Sequence, residues 1–154
     1  MLLASMPSTS KDFAYFRDRL IGMPVSEVRR GHGSALLLEL GALSEEGDGE
    51  ASVMIEWSWR IEHGARIACG SWSEETLWHS AFDHLVGKVV TDVALFGALP
   101  EICLSLAGDV RLLSFMTSGG NPEWNLILRG DTDDAWLSVQ DGQIISHDGS
   151  LIRD

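Results

Sequence analysis

Apolar residues along this chain recur with two different periods, and the period changes at the same place twice. Phe13, Phe16 and Leu20 stand three and four residues apart, as do Trp78, Ala81 and Leu85. That is the spacing of one helix face. A serine suited to capping, Ser8 or Ser73, precedes each group, so the pattern predicts helices over residues 8–20 and 73–85. Further on, Leu36, Leu38 and Leu40, and then Ile102, Leu104 and Leu106, alternate with other residues, which is the period of a half-buried strand. Gly22 and Gly87 lie where each helix stops and the chain turns back as a strand, a position that favours positive φ.

The agreement extends to identity. Residues 18–28 (DRLIGMPVSEV) recur 65 positions later as 83–93 (DHLVGKVVTDV), with five identities and three conservative exchanges. Phe13 aligns with Trp78 and Phe16 with Ala81, and the strand positions correspond after one inserted residue. Turns at Gly31-His32-Gly33 and at 97–100 then separate the first two strands of each half. The halves run from about 8 to 72 and from 73 to 139, with a C-terminal hairpin over 135–147.

Beyond this point the halves diverge. The first has a polar loop at 44–50 (SEEGDGE), a strand expected over 52–62 and a return strand over 65–71. The second has strands expected at 110–115 and 124–128, with a turn-rich loop at 117–122 between them. An acidic turn at 131–134, a hairpin at Asp141-Gly142 and a turn at Asp148-Gly149 follow. Short strands joined by Gly and Asp turns require antiparallel pairing, because parallel neighbours need long crossovers. The expected fold is a single α+β domain, mainly antiparallel β. Two tandem helix-plus-meander repeats would form a sandwich or partly open barrel, with the helices over its open ends.

Composition bounds the rest. A chain of 154 residues, 45% hydrophobic and 22% charged, is one domain long and buries roughly 70% of its unfolded surface. No apolar run approaches a membrane span, and the N-terminus lacks a secretory leader, which points to the cytoplasm. The formal charge is −12, carried mostly by residues 73–154, which hold 4 basic and 13 acidic side chains. Such a field repels phosphate backbones and argues against nucleic acid, while it would steer a basic protein partner. Cys69 and Cys103, among small and apolar neighbours, read as buried thiols.

Candidate chemistry is sparse. The acidic loop at 44–50 does not follow the EF-hand ligand order, so no metal is assigned. The five histidines are scattered; His79 and Asp83, four apart, would pair on one helix face. No GxSxG, HExxH or phosphate-loop motif occurs, so no catalytic residue and no cofactor are implied. The densest group of unusual side chains is 56–63 (EWSWRIEH). On a continuous strand it would place Trp57 and Trp59 on one face, and Glu56 and Arg60 on the other. The second half offers Glu123-Trp124 at the same level. If the halves meet at a seam, Glu56, Trp57, Trp59, Arg60, Trp72, Glu123 and Trp124 would form an aromatic and acidic groove for a ligand or partner.

The segment MIEWSWRIEHGARIACGSW, between an LIGxxVxxV opening and its second copy, resembles small uncharacterised bacterial domains. Those have a strand ending in a Trp-Arg pair and repeated Leu-hydrophobic-Gly openings. Some of them lie near polymorphic toxin genes and are suspected immunity proteins. The resemblance implies a non-catalytic protein-interaction module, immunity-like or regulatory, and transfers no site residue. Two alternatives stand beside it: a small-molecule binder or enzyme with its site between the repeats, and a structural homo-oligomer formed by self-association.

Overall fold

In the computed structural model, residues 5–7, 10–119, 123–130 and 133–147 are described. The expected cap at Ser8, the end of the 117–122 loop, the first half of the 131–134 turn and the Asp148-Gly149 turn lie outside them. The elements run β1 (Ser5–Pro7), α1 (Ser10–Leu20), β2 (Val25–Arg30), β3 (Leu36–Leu40), β4 (Ala51–Ile55), β5 (Trp59–His63) and β6 (Arg66–Gly70). After a 3₁₀ turn (Glu75–Leu77) come α2 (Trp78–Leu85), β7 (Val90–Phe96), β8 (Glu101–Leu106), β9 (Val110–Ser114), β10 (Trp124–Leu128), β11 (Ala135–Gln140) and β12 (Gln143–His147).

The fold is mainly antiparallel β, with two short helices and two open sheets. One sheet has the order β1-β12-β11-β10-β4-β3-β2 and the other β6-β5-β9-β8-β7. Each therefore joins a meander from one part of the chain to strands from the other. The β2-β3-β4 meander is extended by β10, β11 and β12, while β7-β8-β9 is extended by β5 and β6. The chain crosses between sheets at 56–58 and again between β9 and β10. The helices are exchanged in the same sense: α1 packs against β7 and β11, and α2 against β2 and β6.

Period-two alternation explains the core. Across the first sheet, Leu38, Val53, Leu126 and Leu137 stand in one row of partners, and all four are buried. Across the second, Ile61, Leu112 and Leu104 do the same. These rows join Phe16 and Leu20 of α1 and Trp78, Phe82 and Leu85 of α2 in one hydrophobic cluster. Each such aliphatic side chain contributes about 1.5–3 kcal/mol relative to exposure. The opposite face of the first sheet is polar yet also buried at Glu39, Ser52, Asn125 and Ser138. There Ser52 Oγ donates to both carboxylate oxygens of Glu39, and Arg29 and Arg129 each approach that carboxylate to 3.6 Å.

The two Gly turns do more than reverse the chain. Gly22 and Gly87 have φ of 95° and 90°, and the segments that follow them bond to each other. Gly22 N–H donates to Val90 O and Gly87 N–H to Val25 O; Val25 N–H donates to Lys88 O and Val90 N–H to Met23 O. Pro24 and Val89 form an antiparallel bridge between them.

Two expectations change. The strand anticipated over 52–62 is two strands in different sheets, because residues 56–58 are the crossing. The helix anticipated from Ser73 begins at Trp78. Ser73 instead closes the end of β6: its Oγ accepts from Gly70 N–H and its own N–H donates to Gly70 O, each at 2.9 Å.

Candidate functional site

The crossings between sheets decide where the candidate side chains go. Trp59 opens β5 opposite Ser114, and Trp124 opens β10 opposite Ile55. Both indoles point into the core, with Trp59 2% exposed and Trp124 fully buried. A buried indole needs an acceptor for its N–H. Trp59 donates to Ser34 O at 2.7 Å and Trp124 to Pro100 O at 3.0 Å, each acceptor being in the turn between the first two strands of its own half. Trp59 also meets Trp78 edge-on at 5.2 Å and Phe82 at 5.8 Å. It is Trp59, not Trp57, that matches Trp124 in its position on the strand.

The remaining candidates separate into three places. Trp57 lies on the crossing, half exposed, and its carbonyl accepts from Ser34 Oγ. Glu56 N–H donates to Glu123 O at 2.9 Å, so the backbones of these two residues are together. Glu123 is buried, and desolvation first, then the charges of Glu101 and Asp141, raise its pKa above the ordinary glutamate value. Arg60 and Trp72 meet at a third place. They line a depression of about 350 Å³ with Trp59, Ile67 and Gly70. Arg60 pairs with Glu62 at 2.6 Å and stacks 4.5 Å over the Phe115 ring. Trp72 is 94% exposed. The seven residues thus do not line one groove.

Sequence reasoning missed a second concavity. A cleft of about 290 Å³ lies between α2 and strands β5, β6 and β9, with a floor including Ile61, Ala68, Ala81 and Leu85. His63, His84 and Lys88 also line it, and no carboxylate does. The available signal was small side chains: Ala81 and Ser80 stand where the first half has Phe16 and Tyr15. Ala68 and Ile67 are neighbours on β6 but line different concavities, so this strand divides the two.

Burial raises the thiol pKa of both Cys69 and Cys103, which disfavours a nucleophilic thiolate. His79 and Asp83 form the local pair at 3.4 Å on an exposed face. No cluster of three or more metal-ligating side chains occurs among the described residues, and no helix among them is long and apolar enough to cross a membrane. No known protein family, curated protein or solved structure matches this chain. The functional reading therefore rests on the molecule's own geometry.

Proposed function

We propose that this chain is a non-catalytic protein-interaction module, immunity-like or regulatory, that docks its partner on β6 and the loop leading to α2. The observation that carries the reading is the exposure of three large apolar side chains within that stretch: Ile67 at 62%, Trp72 at 94% and Leu77 at 54%. They border two adjoining concavities. Exposed apolar patches of this kind mark binding surfaces, and Trp is the residue most enriched at energetic centres of interfaces. Arg60, stacked on Phe115, supplies a cationic and planar group beside Trp72. The charge of −12 steers a basic partner and speeds encounter.

The partner reads side chains rather than adding a strand. Although β6 ends its sheet, Ser73 occupies both backbone groups of Gly70, and a register shift interrupts the pairing between Ile61 and Glu62. Short, bulged and capped edges resist strand addition. The same features count against self-association through this edge.

The reading includes a duplicated scaffold, in which the halves at about 8–72 and 73–139 are related units that exchange strands between two sheets packed face to face. Its support is the reciprocal bonding of the Gly22 and Gly87 segments, and the paired indoles of Trp59 and Trp124. Calorimetric titration of proteins encoded by neighbouring genes tests the function. A basic one among them should bind, and Trp72→Ala should weaken binding about 30-fold, as loss of a central Trp does. Equal binding by Trp72→Ala and the native chain would refute the assigned face.

A further inference from the structure

We infer that the cleft between α2 and strands β5, β6 and β9 is a binding site for a small aromatic carboxylate. The argument begins with what fills the corresponding place beside α1. In α1, Phe16 is fully buried and Tyr15 packs edge-on against it at 6.2 Å, where the helix lies against β11. In α2, which lies against β6, the residues 65 positions on are Ala81 and Ser80, and about 290 Å³ is left open. An apolar cavity of about 150 Å³ is enough to accept benzene. Although α2 places Trp78 and Phe82 in the core, the space left beside Ala81 and Ser80 is large enough for one further ring.

The same comparison specifies the polar end. His63, fifth residue of β5, stands where β10 has the buried Leu128, and Lys88 stands where the first half has Met23. Two apolar positions have become basic or polar together, and both side chains line the cleft beside His84. With Lys88, His63 and His84 in the lining and no carboxylate, the complementary head group is an anion, and a carboxylate is the one small enough to sit beside a ring in this volume. His84 adds a ring contact: Arg19, its counterpart on α1, stacks 3.3 Å from the centroid of Tyr15. A ligand ring seated on Ser80, the counterpart of Tyr15, meets the His84 ring in the same relation.

Benzoate, phenylacetate, benzyl alcohol and benzylamine, titrated into the whole ¹⁵N-labelled chain, test the assignment by amide shifts and calorimetry. The expected result is saturable binding of the carboxylates, with shifts centred on Ala68, Ser80, Ala81, His84 and Lys88. Lys88→Met should weaken carboxylate binding about tenfold and leave benzyl alcohol unchanged. Ala81→Phe, which restores the ring of the first half, should abolish binding of all four probes, and Ser80→Tyr provides a second closure should that variant fail to fold. Benzylamine binding as tightly as benzoate would overturn the proposal, as would benzoate binding retained in folded Ala81→Phe or Ser80→Tyr, or no site-specific shift at 10 mM probe. Loss of protein docking in Ala81→Phe without any benzoate binding would also overturn it, by giving the cleft to the partner. The Trp72→Ala titration reads the docking face separately.

Discussion

The buried Glu39 cluster on the first sheet makes an asymmetric prediction about its charges. Glu39 is 1% exposed, and its carboxylate is held by Ser52 Oγ and approached by Arg29 and Arg129. Arg129 also donates to Ser52 Oγ at 2.7 Å and to Gly49 O at 3.0 Å. In Arg129→Met, the buried carboxylate keeps Ser52 Oγ but only one of its two cations, Arg29. Removing one partner of a buried pair costs about 3–5 kcal/mol. Because Arg29 remains at 3.6 Å, the lower end of that range, about 3 kcal/mol, is expected. Glu39→Gln acts differently. It leaves two arginines whose side chains are 38% and 26% exposed and can turn to water, and the amide still bonds Ser52. Its expected cost is about 1 kcal/mol, that of one ordinary hydrogen bond. Urea unfolding at pH 7, followed by far-ultraviolet circular dichroism, measures both, and the double variant should cost less than the two single losses added together. If Glu39→Gln proves as destabilising as Arg129→Met, the claim that the desolvated carboxylate dominates this cluster is wrong.

Two further outcomes follow from single groups. Burial raises the Glu123 pKa, so the native state binds this proton more tightly than the unfolded chain, and stability falls as pH rises through the window from the unfolded to the folded value. Glu123→Gln should therefore unfold at a higher temperature than the native protein at pH 7, with the gap closing as pH falls toward 4.5; a gap independent of pH would contradict the assignment. Cys69, 1% exposed, and Cys103, half-buried, both have thiol pKa values raised by desolvation. An aromatic disulfide reagent at pH 8 should modify Cys103 slowly and Cys69 only after unfolding, and rapid reaction of either in the native protein would show the burial to be misjudged.

The parts of the fold that could be read in advance are those where local chemistry and tertiary position agree. Gly22 and Gly87 are needed at positive φ wherever the chain goes next, and Leu36, Leu38 and Leu40 alternate because one face of β3 is core. Residues 52–62 misled because apolar alternation continues through Glu56-Trp57-Ser58 while the chain leaves one sheet for the other. Neither Gly nor Pro marks the crossing; only the partners do, Leu126 for Val53 and Leu112 for Ile61. Ser73 misled for a related reason, since a hydroxyl that could cap a helix serves equally to close a strand end at Gly70. The candidate indoles were legible as a group but not by burial, because Trp59 and Trp72 differ only in what surrounds them. The cleft was least legible of all. A cavity is the absence of side chains, and Ala81 and Ser80 draw notice only beside Phe16 and Tyr15.

On the proposed duplication, the places where the halves differ indicate where one of them acquired work the other does not do. β11 is covered along its free side by β12, whereas among the described residues β6 has no strand beyond it in its sheet. Phe16 of α1 is fully buried, whereas its counterpart Ala81 on α2 lines an open cleft between α2 and β6. These are separate departures, one in strand number and one in side-chain volume, and no packing requirement makes the first produce the second. Both fall around β6, together with Ile67, Trp72 and Leu77. α2 carries Trp78 and Phe82 in the core, yet a scaffold under selection for stability alone would also fill the place of Ala81, because lost ring volume in a core position costs about 3–5 kcal/mol. That cost persists on one side of the molecule and is absent on the other, which is the distribution expected when an open surface is retained for what binds there.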